Sequence, residues 1–288
     1  MKTHRILTIG AALGLLSVMV SLPARPVAHA HGYTSKDFVP PIVFQAAGPT
    51  AASIQSSVDQ YREALGQPDN RNAGPQQSGH REINWDGGSI NNQNTAVAGN
   101  PFAGFQVTRG ALFTTPDGTG FVQAPAGADP ALFPPGGLAG LFNNPTYGTI
   151  FSAFSPRRLF SAIEGKITEV DFFVPGGGNV PATVAGFGAV FTDVDQPGGS
   201  GPGKKHGNRK ASTLIEYFNA DGEPLFSSFV PASPGDGSLS FFGIVFRDAR
   251  IGRVRITSGN VAPGPDDDEK EDIVMMDDFL YGEPQQLP

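Results

Sequence analysis

The sequence predicts a mostly β protein, an antiparallel β-sandwich of the jelly-roll type with a short N-terminal helical arm. The chain has 38 Gly and 26 Pro among its 288 residues, and residues of these two types interrupt long helices. Short apolar runs separated by turn residues recur from residue 81 onward, as in sandwiches and jelly rolls. The 22 Phe and the 39% content of hydrophobic residues are sufficient for a large core.

Residues 1–30 have the pattern of a secretory signal peptide. Lys2 and Arg5 precede an apolar run from Ile9 to Leu22, and residues 28–30 read Ala-His-Ala, a typical cleavage site. The apolar run is too short for a comfortable membrane span, so we predict no membrane span after cleavage. The chain contains no Cys, and secretion without disulfides is typical of a bacterial exoprotein. We therefore expect a secreted, extracellular bacterial protein.

The charge of the chain limits its partners. Removal of residues 1–30 takes the formal net charge from −7 to −10. An acidic protein is repelled by nucleic acid and by anionic membranes, so neither is an expected partner. The absence of Cys also excludes thiol catalysis and thiolate metal sites.

Residues 31–80 are predicted to form the N-terminal arm. Residues 31–50 have an extended pattern, and a helix is expected at about 50–65. There Ile54, Val58, Tyr61 and Leu65 recur at helical spacing before Gly66. Residues 67–80 form a polar linker, the sandwich domain covers 81–283, and 284–288 are a tail.

Within the sandwich domain, apolar alternation and turn residues locate the strands. Asn219-Ala-Asp-Gly222 is a hairpin turn signal, and Glu169 and Asp171 should face away from Val170 and Phe172. Arg253 and Arg255 likewise face outward. The predicted strands are 81–86, 105–108, 111–115, 119–123, 166–174, 186–195, 212–218, 224–230, 238–246, 253–257 and 273–281.

The first of these strands carries the only Trp of the chain. In a strand, Ile83 and Trp85 share one face, and Glu82 and Asp86 share the other. One interpretation is a buried Trp anchor followed by a turn. The other is a binding site in which Trp85 contacts a sugar and Glu82 and Asp86 are oxygen ligands for Ca²⁺.

The last predicted strand contains Asp277 and Asp278 within an apolar run. Adjacent strand residues face opposite sides, so one carboxylate should point inward, where it needs a cation or several hydrogen-bond donors. A structural Ca²⁺ would satisfy this need. An ion pair, for example with Arg81, or a cluster of backbone N–H groups would also satisfy it. The candidate metal ligands are therefore Glu82, Asp86, Asp277 and Asp278.

Other motifs are weaker. Asp193, Asp195 and Gly198 resemble the start of an EF-hand loop. However, Pro197 and Lys204 occupy its fifth and twelfth positions, so the two Asp could only act as isolated ligands. The chain has no G-x-S-x-G motif, and we predict no catalytic residues.

Five segments, 186–195, 219–222, 241–246, 251–259 and 274–279, together resemble bacterial exported proteins of unassigned function, some of which carry a PEP-type sorting signal that is absent here. The layout is also similar to galactose-binding-like jelly rolls and carbohydrate-binding modules. This resemblance implies a non-catalytic protein that binds an extracellular glycan or another cell-surface ligand. It also implies a Ca²⁺ between the first and last strands, with Asp277 or Asp278 near Glu82 or Asp86. The alternatives are an extracellular polysaccharide hydrolase and a structural surface or matrix protein without a small ligand.

Overall fold

The computed structural model describes residues 39–87, 95–128, 136–198, 212–265 and 271–287. The predicted signal peptide and residues 31–38 lie outside this range. Two antiparallel sheets pack face to face, which confirms the mostly β class and the β-sandwich. None of the helices in the described part of the chain is both long enough and apolar enough to cross a membrane.

The strands and helices are numbered along the chain. The first sheet contains, in spatial order, β1 (Ile42–Gly48), β13 (Leu239–Val245), β10 (Gly186–Thr192), β15 (Met275–Gly282), β7 (Leu159–Ile163), β6 (Gly120–Ala124) and β3 (Ala96–Gly99), and β2 (His80–Ile83) also pairs with β15. The second sheet contains β12 (Pro224–Phe229), β11 (Leu214–Phe218), β14 (Arg253–Thr257), β8 (Ile167–Phe172), β5 (Ala111–Thr114) and β4 (Phe102–Phe105). The remaining elements are β9 (Ala182–Thr183), β16 (Gln285–Gln286), α1 (Ala51–Leu65), α2 (Gln106–Arg109), α3 (Gly137–Leu141) and α4 (Tyr147–Ile150).

Eight of these strands have jelly-roll connectivity. The order β7–β15–β10–β13 occupies the first sheet, and β8–β14–β11–β12 occupies the second. Successive strands therefore alternate between the sheets, except for the β11–β12 hairpin at the predicted Asn219–Gly222 turn. This alternation is that of a jelly roll, in which two four-stranded sheets enclose one core.

The core between the sheets is aromatic. Trp85 stacks on Phe160 with ring centroids 3.8 Å apart, and Phe113 and Phe279 meet the indole edge-on. Trp85 and Phe279 are fully or almost fully buried. Edge-to-face and offset contacts of this kind add to the stabilisation that burial of the ring area provides.

The N-terminal arm adds a strand to the first sheet and a helix to its outer face. Strand β1 pairs with β13, and α1 packs on the outer face of the sheet through Ile54, Val58 and Tyr61. The predicted helix at 50–65 is confirmed within one residue. It begins after Thr50 and ends at Gly66, whose φ of 96° favours glycine.

Tyr61 lies over a window formed by two glycines that face each other across β10 and β13. A Cβ on Gly243 would lie 2.9 Å from the Tyr61 ring, and a Cβ on Gly188 would lie equally close to it. The Tyr61 hydroxyl donates a hydrogen bond to the carbonyl oxygen of Ile244 at 3.1 Å. The absence of side chains at the two glycines therefore allows α1 to approach the sheet.

Several details differ from the sequence-based expectation. The predicted strand at 105–108 ends at Phe105, and a short helix occupies 106–109. The first predicted strand ends at Ile83, because Trp85 has a φ of 62°, which is incompatible with a strand. Strand β7 was not predicted, since Leu159–Ile163 is a short apolar run without alternation.

Gly243→Ala is expected to destabilise the protein by about 1–3 kcal/mol, because the new methyl group must displace the Tyr61 ring or the neighbouring strand. Urea denaturation measures this loss. The control is Gly99→Ala, since a Cβ on Gly99 meets no atom within 4 Å. Equal stability of the two variants would contradict a role for the glycine window.

Candidate functional site

A β-bulge in β15 brings the two predicted carboxylates to the same side of the sheet. Ala189 of β10 pairs with Phe279 and Phe191 pairs with Met276, so Asp277 and Asp278 together oppose one residue. The expectation that the two carboxylates face opposite sides is therefore wrong, because the bulge breaks the alternation. The Ser155 hydroxyl lies 2.5 Å from a carboxylate oxygen of Asp278 and 3.3 Å from one of Asp277.

The two carboxyl groups form a buried acid pair. Asp277 is 0% exposed and Asp278 is 3% exposed. The backbone N–H groups of Phe154 and Ser155 donate to Asp277 at 2.6 and 3.3 Å. Burial raises the pKa of Asp277 well above its usual value, and the charge of Asp278 raises it further. Burial also raises the pKa of Asp278, so the pair retains a proton under conditions where an exposed Asp is ionised.

Glu82 lies beside this pair and is linked to it by Arg62 of α1. Arg62 Nε donates to Glu82 at 2.7 Å, and Arg62 Nη2 lies 3.8 Å from a carboxylate oxygen of Asp278. His80 Nε2 lies 3.1 Å from Glu82. Burial opposes ionisation of Glu82, but the hydrogen bonds from His80 and Arg62 prevail and lower its pKa to about 2. Arg62 thus places a positive charge between two carboxylates.

Asp86 has a different set of partners. One of its carboxylate oxygens accepts hydrogen bonds from the backbone N–H groups of Arg157 and Arg158, at 2.6 and 2.9 Å. None of the hydrogen bonds and ion pairs of the described residues joins Asp86 to Glu82, Asp277 or Asp278. The structure therefore brings three of the four predicted metal ligands together and leaves the fourth with other partners.

The surroundings of these carboxylates bear on the calcium prediction. Arg62 provides positive charge that Ca²⁺ was expected to supply, and Ser155 and two backbone N–H groups provide hydrogen-bond donors. Within the described ranges, no group of three or more His, Asp or Glu side chains is arranged to hold a metal ion. Calcium at Glu82, Asp86, Asp277 and Asp278 stays a prediction. The structural ion pair that was its alternative involves Arg62, and Arg81 pairs instead with the buried Glu283.

Trp85 requires a correction. Its side chain is 1% exposed, and its indole N–H donates to the carbonyl oxygen of Asp277 at 2.7 Å. A ring enclosed by Phe160, Phe113 and Phe279 has no free surface for a sugar. The ligand-binding role predicted for Trp85 is wrong in this structure, and the buried anchor, which was the other interpretation, describes what the structure shows.

A group of charged side chains and one aromatic ring lies on the outer face of the second sheet. We call it the paired-charge face and define it by Glu169, Asp171, Phe218, Arg253 and Arg255. Arg253 forms a bidentate pair with Asp171, at 2.7 and 3.2 Å, and Arg255 Nε donates to Glu169 at 2.8 Å. The arginine side chains are 45% and 40% exposed, whereas those of Asp171 and Glu169 are only 23% and 10% exposed. The hydrogen bond and charge of Asp171 raise the pKa of Arg253.

Strand pairing explains this arrangement. The register places Asp171 opposite Arg253 and Glu169 opposite Arg255, so each ion pair crosses from β8 to β14. Phe218 of β11 is opposite Arg253, and the Arg255 guanidinium lies 6.0 Å from the centre of its ring. The result is a half-exposed sheet surface that presents fixed donors, fixed acceptors and one aromatic ring.

Several of these residues were not identified as candidates from the sequence. Arg62 and Ser155 carry no motif, because their importance depends on which strand they pack against. The alternation of Glu169 and Asp171 and that of Arg253 and Arg255 were visible. That β8 and β14 are neighbours, however, is a property of the topology.

Trp85→Ala is expected to destabilise the protein by about 3–5 kcal/mol, because it removes the largest side chain of the core. Because Trp85 is the only Trp, the wild-type fluorescence should be blue-shifted and poorly quenched by iodide. Strong quenching of the native protein would contradict the buried position.

The acid pair predicts a pH dependence of stability. Folding holds the proton of Asp277 above the usual Asp pKa of 3.8, so the free energy of unfolding should decrease as the pH rises from 3.8 towards the pKa of the folded pair. Asp277→Asn retains an acceptor but cannot ionise, and should weaken this decrease. Urea denaturation over a pH series measures it. Asp221→Asn, in an exposed hairpin turn, is the control, and identical pH profiles for wild type and Asp277→Asn would contradict the pair.

The chain was compared with protein-family models, with curated proteins and with solved structures. No family model, no curated protein and no solved structure matches it. The resemblance to exported jelly-roll proteins stays a prediction.

Proposed function

We propose that this protein is a secreted, non-catalytic β-sandwich that binds an extracellular glycan or another polar surface ligand through the paired-charge face. The observation that carries the proposal is the pair of exposed arginines, Arg253 and Arg255, which Asp171 and Glu169 hold in place beside Phe218. Carboxylates accept hydrogen bonds from sugar hydroxyls, guanidinium groups donate to them, and an aromatic ring packs against their C–H groups. The paired-charge face offers all three kinds of group.

Preorganisation supports this proposal. The ion pairs fix four long or charged side chains at the spacing of neighbouring strands, about 4.8 Å apart. A ligand with hydroxyl groups at similar intervals would then bind without a large loss of side-chain entropy. The leader-like residues 1–30 and the acidic composition are consistent with an extracellular ligand that is not nucleic acid.

The hydrolase alternative is less well supported by the site. Glycoside hydrolysis needs two carboxyl groups across an open cleft, one of which remains protonated near neutral pH. Among the described carboxyl groups, the pKa values of Asp272, Asp277 and Asp278 are raised, with burial as the main cause. All three are at most 3% exposed, so a polysaccharide cannot reach them in this conformation.

The test is a glycan array with neutral and uronic-acid-containing polysaccharides, followed by calorimetry on each positive ligand. Arg255→Ala should weaken binding about tenfold or more, because a charged hydrogen bond contributes about 1.5–3 kcal/mol. Arg250→Ala is the matched control, since Arg250 pairs with Asp248 in a loop and not on the paired-charge face.

Equal binding by the two variants would contradict the proposed surface, and no binding to any glycan would contradict the glycan ligand. Release of reducing sugar, abolished by Glu169→Gln, would favour the hydrolase. Self-assembly without any ligand would favour the structural protein.

A further inference from the structure

Asp272 lies where three loops cross at one end of the sandwich. Its backbone exchanges hydrogen bonds with Asn260, whose N–H donates to the Asp272 carbonyl at 2.9 Å. The backbone N–H of Asp195 donates to Oδ1 of Asp272 at 3.2 Å. Asp272 is 3% exposed. These contacts hold its carboxylate in one position inside the protein.

The second carboxylate oxygen of Asp272 has no partner. Oδ2 is buried and accepts no hydrogen bond of normal geometry from a described group, although the backbone N–H of Gln196 lies near the carboxyl group and lowers its pKa. An unpartnered carboxylate oxygen in a buried position is costly, and a proton, a donor or a cation normally satisfies it. Burial, together with the nearby charge of Asp195, raises the pKa of Asp272 to about 6. The free oxygen identifies a position at which a positive charge would be stabilised.

Asp195 supplies a second carboxylate, whose charge acts on Asp272 and raises its pKa. One of its oxygens accepts a hydrogen bond from the backbone N–H of Gly235 at 2.9 Å, which fixes its orientation. None of the ion pairs found among the described residues includes Asp195 or Asp272. The two negative charges are therefore not balanced by a described Lys, Arg or His side chain.

We propose that Asp195 and Asp272 hold a hard divalent cation, Ca²⁺, where the segments 193–196, 233–235 and 259–260 meet. Ca²⁺ takes 6–8 oxygen ligands and readily completes its shell with backbone carbonyls and water. A site with two carboxylates belongs to the weaker extracellular class, with a Kd of about 10⁻⁴–10⁻³ M. The sequence pattern indicated Asp193 and Asp195 as isolated ligands, and the structure places Asp272 next to Asp195. The cation would join the end of β10 to the start of β15.

The experiment uses the full chain, stripped with a chelator and then dialysed against Ca²⁺. Equilibrium dialysis should show one bound Ca²⁺ per chain, and the melting temperature should rise in about 5 mM Ca²⁺ relative to EDTA, because the ion binds the folded state. Asp272→Asn and Asp195→Asn should each weaken Ca²⁺ binding at least tenfold and remove the rise. Asp221→Asn, in an exposed turn, should behave as wild type.

The stability of Asp272→Asn in EDTA separates loss of Ca²⁺ binding from loss of folding. Asp272→Asn removes an unbalanced buried charge, so in EDTA this variant should melt at or above the wild-type melting temperature. A loss of Ca²⁺ binding in this variant is then not caused by unfolding. No binding by the wild type overturns the proposal. Binding that survives Asp272→Asn and Asp195→Asn but is lost in Asp278→Asn also overturns it, and would place the ion at the site predicted from the sequence.

Discussion

The bulge in β15 changes the phase of the strand, so that Met276 and Phe279 both face the core although they are three residues apart. Without the extra residue, strict alternation would place the apolar side chains of either the first or the second half of the strand on the outer face of the sheet. β15 lies between β10 and β7 in the first sheet, so an error in its phase would affect both neighbours. The position of the aromatic core therefore depends on this irregularity.

The same bulge explains why two acidic residues are tolerated in a buried strand. The indole N–H of Trp85 satisfies the backbone carbonyl of Asp277, while Ser155 and Arg62 contact the carboxyl groups from the other side. Arg62 belongs to the helix of the arm, and Trp85 follows β2 and lies in the aromatic core. The acid pair thus connects the last strand, the arm and the aromatic core, which gives its ionisation a direct effect on stability.

Much of the fold could be predicted because local patterns determine it. The spacing of Ile54, Val58 and Tyr61 located α1, and the Asn219–Gly222 turn located the β11–β12 hairpin. The bulge could not be read from strict alternation, although the apolar positions 274, 276, 279 and 281 do contain a three-residue step. The site was harder to predict. The sequence alone shows that a buried carboxylate needs a partner. It does not show that this partner is Arg62 or that β8 lies beside β14, because both depend on the assembled topology.

The glycine window has a consequence for the order in which the protein can assemble. The arm comes early in the chain, but the surface that receives Tyr61 is built from β10 and β13, which come more than a hundred residues later. When the chain is synthesised from its N-terminus, α1 and β1 therefore cannot dock until the second half of the chain is present. Until the arm docks, β13 has a free edge, and its apolar strand is open to pairing with another chain. The arm is therefore synthesised first but docks last, and its docking covers the free edge of β13.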